Sequence, residues 1–190
     1  VIEKTITRMG SRKIRQWILS PLTQKDRIDA RLEAVAELVS QRETSQSLQR
    51  ELEGFFDLER LCGRIGCRTA NGRDLNYLKI NLLKIPAIKI LLQRSRSSLL
   101  NKTSDEFDEA KELVRLLDQR IHPEPPSTIS EGGIIADGFN PELDELRSLL
   151  KNGKDWLIDY QQRLREETSI QTLKVKFNKV FGYYIEISKS

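Results

Sequence analysis

The chain has 190 residues, enough for one large or two small domains that bury a real core. Charged residues make up 32% and aromatics 6%, with a mean hydropathy of −0.49, which fits a soluble, helix-rich protein and leaves no apolar run near the ~20 residues that span a bilayer. The formal net charge of +4 and pI near 9.1 permit nucleic-acid binding without demanding it.

Residues 1–9 are short, mixed in character and predicted extended. Gly10-Ser11 offers a cap for a helix with Ile14, Trp17 and Ile18 on one face, closed at Ser20-Pro21. Thr23, with Asp26 three residues on, caps the next helix, whose Ile28, Leu32, Val35 and Val39 are spaced four, three, four. A short helix over 44–53 ends at Gly54. From Phe55 to Gly66, one helical face carries Phe55, Leu58, Leu61 and Ile65, with Arg60 and Arg64 beside it. A loop follows, and Asn71 caps a helix bearing Leu75, Leu78 and Leu82. Pro86 is expected to end or kink that helix before it resumes from Ala87 to Leu100.

Arg60, Arg64, Arg68 and Arg73 could mark a phosphate site, but Asp57, Glu59 and Asp74 lie close enough in sequence to pair with them. Ser104 is read as the cap of an acidic-fronted helix with the stripe Phe107, Ala110, Val114, Leu117 and Ile121, stopped by His122-Pro123. Residues 127–139 read as a short β-like insert turning at Gly132-Gly133 and Asp137-Gly138.

The last quarter organises the rest. Asn140 is a good N-cap and Pro141 suits the first helical position. Leu143, Leu146, Leu150, Gly153, Leu157, Tyr160 and Leu164 then recur at alternating steps of three and four, the seam of a helix packed along a narrow stripe. Unbroken to Thr168, this helix spans roughly 40 Å. Gly153 within it reads either as a tolerated helix glycine or as a hinge. Beyond it, Leu173, Val175 and Phe177 alternate with Lys174, Lys176 and Asn178, and Phe181, Tyr183, Ile185 and Ile187 alternate with Gly182, Tyr184, Glu186 and Ser188. Only an odd-numbered turn gives a β-hairpin with one apolar and one polar face. Three residues, Asn178 to Val180, would set Phe177 opposite Phe181, Val175 opposite Tyr183 and Leu173 opposite Ile185; five is the alternative. The candidate contacts to nucleic-acid phosphates are Lys174, Lys176, Asn178 and Lys179, with Tyr184 in support. From spacing alone, the same residues read first as an ordinary solvated strand face.

No catalytic site emerges. The chain holds one histidine, His122, and lacks both a nucleophile–base–orienter set and a phosphate-cradling G-x-x-x-x-G-K-[ST] motif. Cys62 and Cys67 have no second pair with which to build a zinc site, and read as small residues at a helix interface in a reducing cytosol. The N-terminus lacks the apolar stretch of a signal peptide, and the chain, starting at Val1 and stopping just after a strand pattern, reads as a piece of a longer protein. From the residues alone this is a mainly α scaffold: a multi-helix core with a long helix leading to a small β-hairpin.

Several stretches, in this order, resemble the MutS DNA mismatch-repair proteins over nearly the whole chain. Met9-Gly-Ser-Arg with Ile14-Arg-Gln-Trp-Ile-Leu-Ser-Pro-Leu resembles the opening of their core (lever) domain. Phe56-Asp-Leu-Glu-Arg-Leu, Arg64-Ile and Asn71-Gly-Arg-Asp-Leu resemble its central signature. Glu131-Gly-Gly-Ile-Ile-Ala-Asp-Gly-Phe-Asn-Pro-Glu-Leu resembles the junction into the lever helix, and Lys154-Asp-Trp-Leu through Leu173-Lys-Val-Lys-Phe-Asn-Lys-Val-Phe-Gly-Tyr-Tyr-Ile-Glu-Ile the start of the clamp domain. The resemblance implies a core (lever) helical domain over 1–139, and a lever helix with the N-terminal part of a clamp over 140–190. It implies non-specific backbone contacts to double-stranded DNA, mismatched duplex included. Self-association and contact with MutL, and ATP and Mg2+ in an ATPase domain outside this chain, would belong to the full-length protein, itself cytoplasmic, bacterial and nucleoid-associated. The fragment would carry no catalysis and no cofactor of its own. A helical protein-interaction scaffold without DNA binding is the alternative.

Overall fold

A computed structural model describes residues 4–180 and 182–187. It divides into two compact units, residues 1–136 and 137–190. The architecture is mainly α, as the periodicity predicts: among the described residues the only sheet is a two-stranded antiparallel hairpin.

The first unit contains α1 (Arg8–Leu19), α2 (Lys25–Ser40), α3 (Arg42–Leu52), α4 (Leu58–Gly66), α5 (Gly72–Gln93), α6 (Ser98–Asp105) and α7 (Lys111–Arg120), followed by a 3-10 turn over Ile129–Glu131. Its core gathers Leu61, Leu78, Leu117 and Ile121, flanked by Phe56, Leu75, Leu82 and Ile134. The central element is α5. Asn71 and Asp74 exchange hydrogen bonds at its start in a capping box. Halfway along, the fully buried Asn81 donates from Nδ2 to the Phe56 carbonyl at 2.8 Å and accepts the Phe56 N–H on Oδ1 at 2.9 Å. That pair pins the extended segment that leads into α4. Where α5 gives way to α6, Glu37 of α2 accepts from Ser95 Oγ and from the amides of Arg96 and Ser97, which hold its carboxyl below its ordinary pKa.

Several local expectations are corrected. The first helix begins at Arg8, so residues 8 and 9 are helical: Thr7 Oγ1 accepts the Gly10 amide at 3.0 Å and outcompetes the Gly10-Ser11 cap. In α2 the first carbonyl to accept is that of Gln24, from the Ile28 amide, which leaves Thr23 one residue outside the capping position. Helix α4 starts at Leu58, because Asp57 caps it through the Arg60 amide and thereby keeps Phe55 and Phe56 extended. Pro86 sits inside a continuous α5. Buried Ile85 and Ile88 on either side of it anchor the helix strongly enough to offset the ~3 kcal/mol that an interior proline costs. Ser104 caps nothing; it is buried near the end of α6 with its hydroxyl on the Asn101 carbonyl, and α7 begins only at Lys111, after Ala110 in the left-handed region (φ 47). The 127–139 insert reduces to one bridge, Ile121 to Ile135. Cys62 and Cys67 are both exposed and free, not packed in an interface. The α2 stripe is correct in period and wrong in direction: Ala34 faces the core, while Leu32, Val35 and Val39 (71% exposed) face out.

The second unit is α8 (Pro141–Thr168) and the hairpin of β1 (Leu173–Asn178) and β2 (Gly182–Ile187). Asn140 Oδ1 accepts the Leu143 amide at 3.1 Å, and Pro141 follows in the first turn, as predicted. The helix runs unbroken through Gly153, where an added Cβ would meet nothing within 4 Å. Ser169, in the left-handed region (φ 57), ends it and turns the chain back.

Candidate nucleic-acid interface

Among the described residues, two hydrogen bonds from the far half of α8 reach β1, beside its buried first residue. Leu173 is the anchor, 3% exposed. Arg165 Nε donates to the Leu173 carbonyl at 2.7 Å, and Gln161 Oε1 accepts the Val175 amide at 2.8 Å. These two helix side chains occupy what would otherwise be free ladder positions of β1, so the strand borrows rigidity from the helix. Sequence reasoning missed both. The available signal was their i, i+4 spacing beside Leu157, Tyr160 and Leu164, the half-buried part of the seam. Leu146 and Leu150, on the near half, are exposed.

The ladder pairs Leu173 with Ile187, Lys174 with Glu186, Val175 with Ile185, Lys176 with Tyr184, Phe177 with Tyr183 and Asn178 with Gly182. The loop is odd-numbered and the two faces separate as expected. The register differs by two residues from the three-residue alternative over Asn178 to Val180: Tyr183, not Phe181, faces Phe177. Two local features set it. Asn178 Oδ1 accepts the Val180 amide at 2.7 Å, which folds the chain after Asn178, and Gly182 takes φ +73, a conformation cheap only for glycine. A shift of two preserves faces, so the lysines stay on the polar side. Phe181, Ser188 and Lys189 lie outside the described residues, as do residues 1–3 of the N-terminal stretch.

The five candidate residues are therefore brought together, but not as equals. Lys174 and Lys179 are exposed, with no hydrogen bond or ion pair among the described residues. Lys176 Nζ is bound by Glu186, which raises the lysine pKa and lowers the glutamate's. Asn178 spends its side-chain oxygen on the turn. Tyr184 stands opposite Lys176 on the polar face. The other face carries Phe177 and Tyr183, whose rings meet at 5.0 Å, and a cleft of about 440 Å³ with Trp156 and Tyr160 on its helical wall. Those two rings stack at 5.1 Å.

In the first unit, Arg64 pairs with Asp74 at 2.9 Å and Arg73 Nε donates to the Pro125 carbonyl. Asp57 and Glu59 are taken by Arg12, a partner the sequence did not suggest. The pairing expectation thus holds for Arg64, while Arg60 meets Asp57 through its backbone amide and its charge and makes no side-chain salt bridge among the described residues. Among the described residues, no cluster of His, Cys, Asp and Glu suits a metal ion, and no helix is long and apolar enough to cross a membrane.

Comparison with known proteins agrees with the ordered motifs. The family described as MutS domain III matches residues 1–186. Proteins named DNA mismatch repair protein MutS from Halothermothrix orenii, Clostridium perfringens and Myxococcus xanthus are 46%, 45% and 43% identical over 190 residues. Each alignment covers all of this chain and 21% of the relative, so the chain spans about a fifth of their length. On the family match and the identity along its whole length, the chain belongs to the MutS domain III family.

Proposed function

We propose that this chain is the lever core and first part of the clamp of a MutS-type mismatch-repair protein, and that its hairpin grips duplex DNA through phosphate contacts that ignore sequence. The observation that carries the reading is a pair of exposed lysines with no side-chain hydrogen bond or salt bridge among the described residues, Lys174 on the polar face of β1 and Lys179 in the turn that follows it, in a hairpin anchored to the end of a 28-residue helix. A lysine there reaches a phosphate without breaking an internal pair. Backbone phosphates are alike in every sequence, so such a surface positions the protein and does not read bases. Helix α8, ~40 Å long, acts as a stiff link between the grip and the rest of the protein. The exposed Leu146–Leu150 stretch would be covered by a returning lever helix of the longer chain. ATP and Mg2+ binding, MutL contact and self-association belong, on this reading, to other parts of that protein.

The test is the salt dependence of duplex binding by the longer protein. Replacing Lys174 and Lys179 by Ala should flatten the slope of log K against log salt by about 1 per lysine. An unchanged slope overturns the assignment. The second reading, a protein-interaction scaffold, is favoured by one observation, the outward apolar stripe of Leu32, Val35 and Val39. It predicts no salt-dependent DNA binding at all.

A further inference from the structure

The first unit contains a cleft of about 530 Å³ between the start of α1, the turn before α4, and helices α4 and α5. Its charges do not cancel. With Glu59 included, four arginines (Arg8, Arg12, Arg60 and Arg64) stand against three carboxylates, and Asp57 shares Arg12 with Glu59, each Nη atom of Arg12 lying 2.7 Å from one Asp57 carboxylate oxygen. Asp74 is neutralised by Arg64. Arg8 and Arg60 also line the cleft, and neither has a side-chain hydrogen bond or salt bridge among the described residues, although the Arg60 charge helps to lower the pKa of the Asp57 carboxyl beside it. Arg64 adds a third donor: its Nε–H is buried and unsatisfied, although Nη2 reaches Asp74 and the Thr69 carbonyl. A buried donor with no acceptor costs free energy that a ligand oxygen would recover. The remaining wall is apolar and flat. Phe56 and Tyr77 stack there with centroids 3.9 Å apart and planes inclined by 17°. Asn81 holds the Phe56 backbone in place, so this wall is set before any ligand arrives.

We propose that this cleft is a binding site for a small oxyanion, phosphate or carboxylate, carried on a flat apolar body. The guanidinium forks of Arg8 and Arg60 present paired N–H donors that match two oxygens of either anion. Arg64 adds a third positive charge to the lining, its buried Nε–H reporting on changes around it, and the Phe56–Tyr77 wall takes the body. The site lies in the first unit and is separate from the hairpin lysines. It therefore does not depend on the proposed DNA grip.

The experiment is a titration of the 190-residue protein followed on the arginine Nε–H signals by nitrogen-15 NMR, with phenyl phosphate, benzoate and inorganic phosphate as probes. Saturable movement of the Arg64 Nε–H signal by phenyl phosphate assigns the anion as a phosphate, and by benzoate as a carboxylate. The double variant Arg8→Gln with Arg60→Gln should weaken the effective probe by about tenfold or more, the loss of one or two charge-assisted hydrogen bonds. Arg115→Gln, remote in sequence and paired with Glu112, should not weaken it. Both arginines are exposed, so the remaining spectrum will report an intact fold. Movement that never saturates, or equal weakening in the Arg115 variant, overturns the site. Inorganic phosphate binding as tightly as phenyl phosphate overturns the apolar wall's part in it.

Discussion

Lys176 and Glu186 form an ion pair diagonally across the hairpin, since the ladder sets Lys176 opposite Tyr184 and Lys174 opposite Glu186. The pair keeps both groups charged and places a carboxylate in the middle of the polar face. It adds order to the hairpin, but at half exposure its contribution to stability is small. For an approaching phosphate the two charges nearly cancel. Glu186→Gln is therefore expected to tighten duplex binding at low salt, and Lys176→Ala to weaken it less than Lys174→Ala. Anisotropy titrations of the three variants check this. Equal losses for both lysines would show that the ion pair opens when DNA binds.

The clamp of Asn81 on Phe56 should be the costliest polar contact to break in the first unit. Asn81→Leu keeps the branched shape, with somewhat bulkier methyl ends, but leaves the Phe56 amide and carbonyl without their partners. A loss of about 2–4 kcal/mol is expected, from two hydrogen bonds and the desolvation of the groups left behind. Urea unfolding at constant m-value measures it. A cost below 1 kcal/mol would mean that water replaces the side chain.

Leu173 and Arg165 together decide whether the hairpin persists. Two strands alone are marginal in water, so the hairpin depends on its helix. Leu173→Ala should cost about 2–4 kcal/mol of local stability and collapse the hydrogen-exchange protection of the Val175 amide, bonded to Gln161, and of the Lys176 amide, which faces β2. Protection that survives the substitution would place the stability in the turn.

Part of the acid sensitivity should reside at Asp57. The Arg12 guanidinium, by hydrogen bonds first, holds the carboxyl at about 2, against an ordinary value of 3.8. A depressed acid contributes stability that is complete above its unfolded pKa and lost as pH falls through the folded one. The stability difference between the wild type and Arg12→Gln should therefore be full at pH 5 and above and shrink as pH falls toward about 2. Denaturant melts at pH 7, 4 and 2.5 read the difference. A constant gap would assign the role of Arg12 to packing.

Legibility followed the range of the interaction. The caps at Asn71 and Asn140, the unbroken 28-residue helix and the two faces of the hairpin are local, and periodicity with turn chemistry exposed them. What failed needed a distant partner. Val39 has the spacing of a core residue, yet neighbouring elements cover the Ala34 side of α2 instead. Pro86 looks like a stop until the buried residues on both sides of it are known. Among the candidate contacts, face and charge were legible, but the capture of Lys176 by Glu186 required the register. That register was set by Gly182, whose positive φ only the folded turn reveals.

The central claim is a grip on duplex DNA that ignores sequence, and one titration tests it most directly. A labelled duplex, matched or carrying a single mismatch, is titrated with this chain at low and moderate salt and followed by fluorescence anisotropy. The account predicts equal affinity for both duplexes, falling steeply with salt and weakened alike by loss of Lys174 and Lys179. A preference for mismatched DNA, or no binding even at low salt, would contradict it.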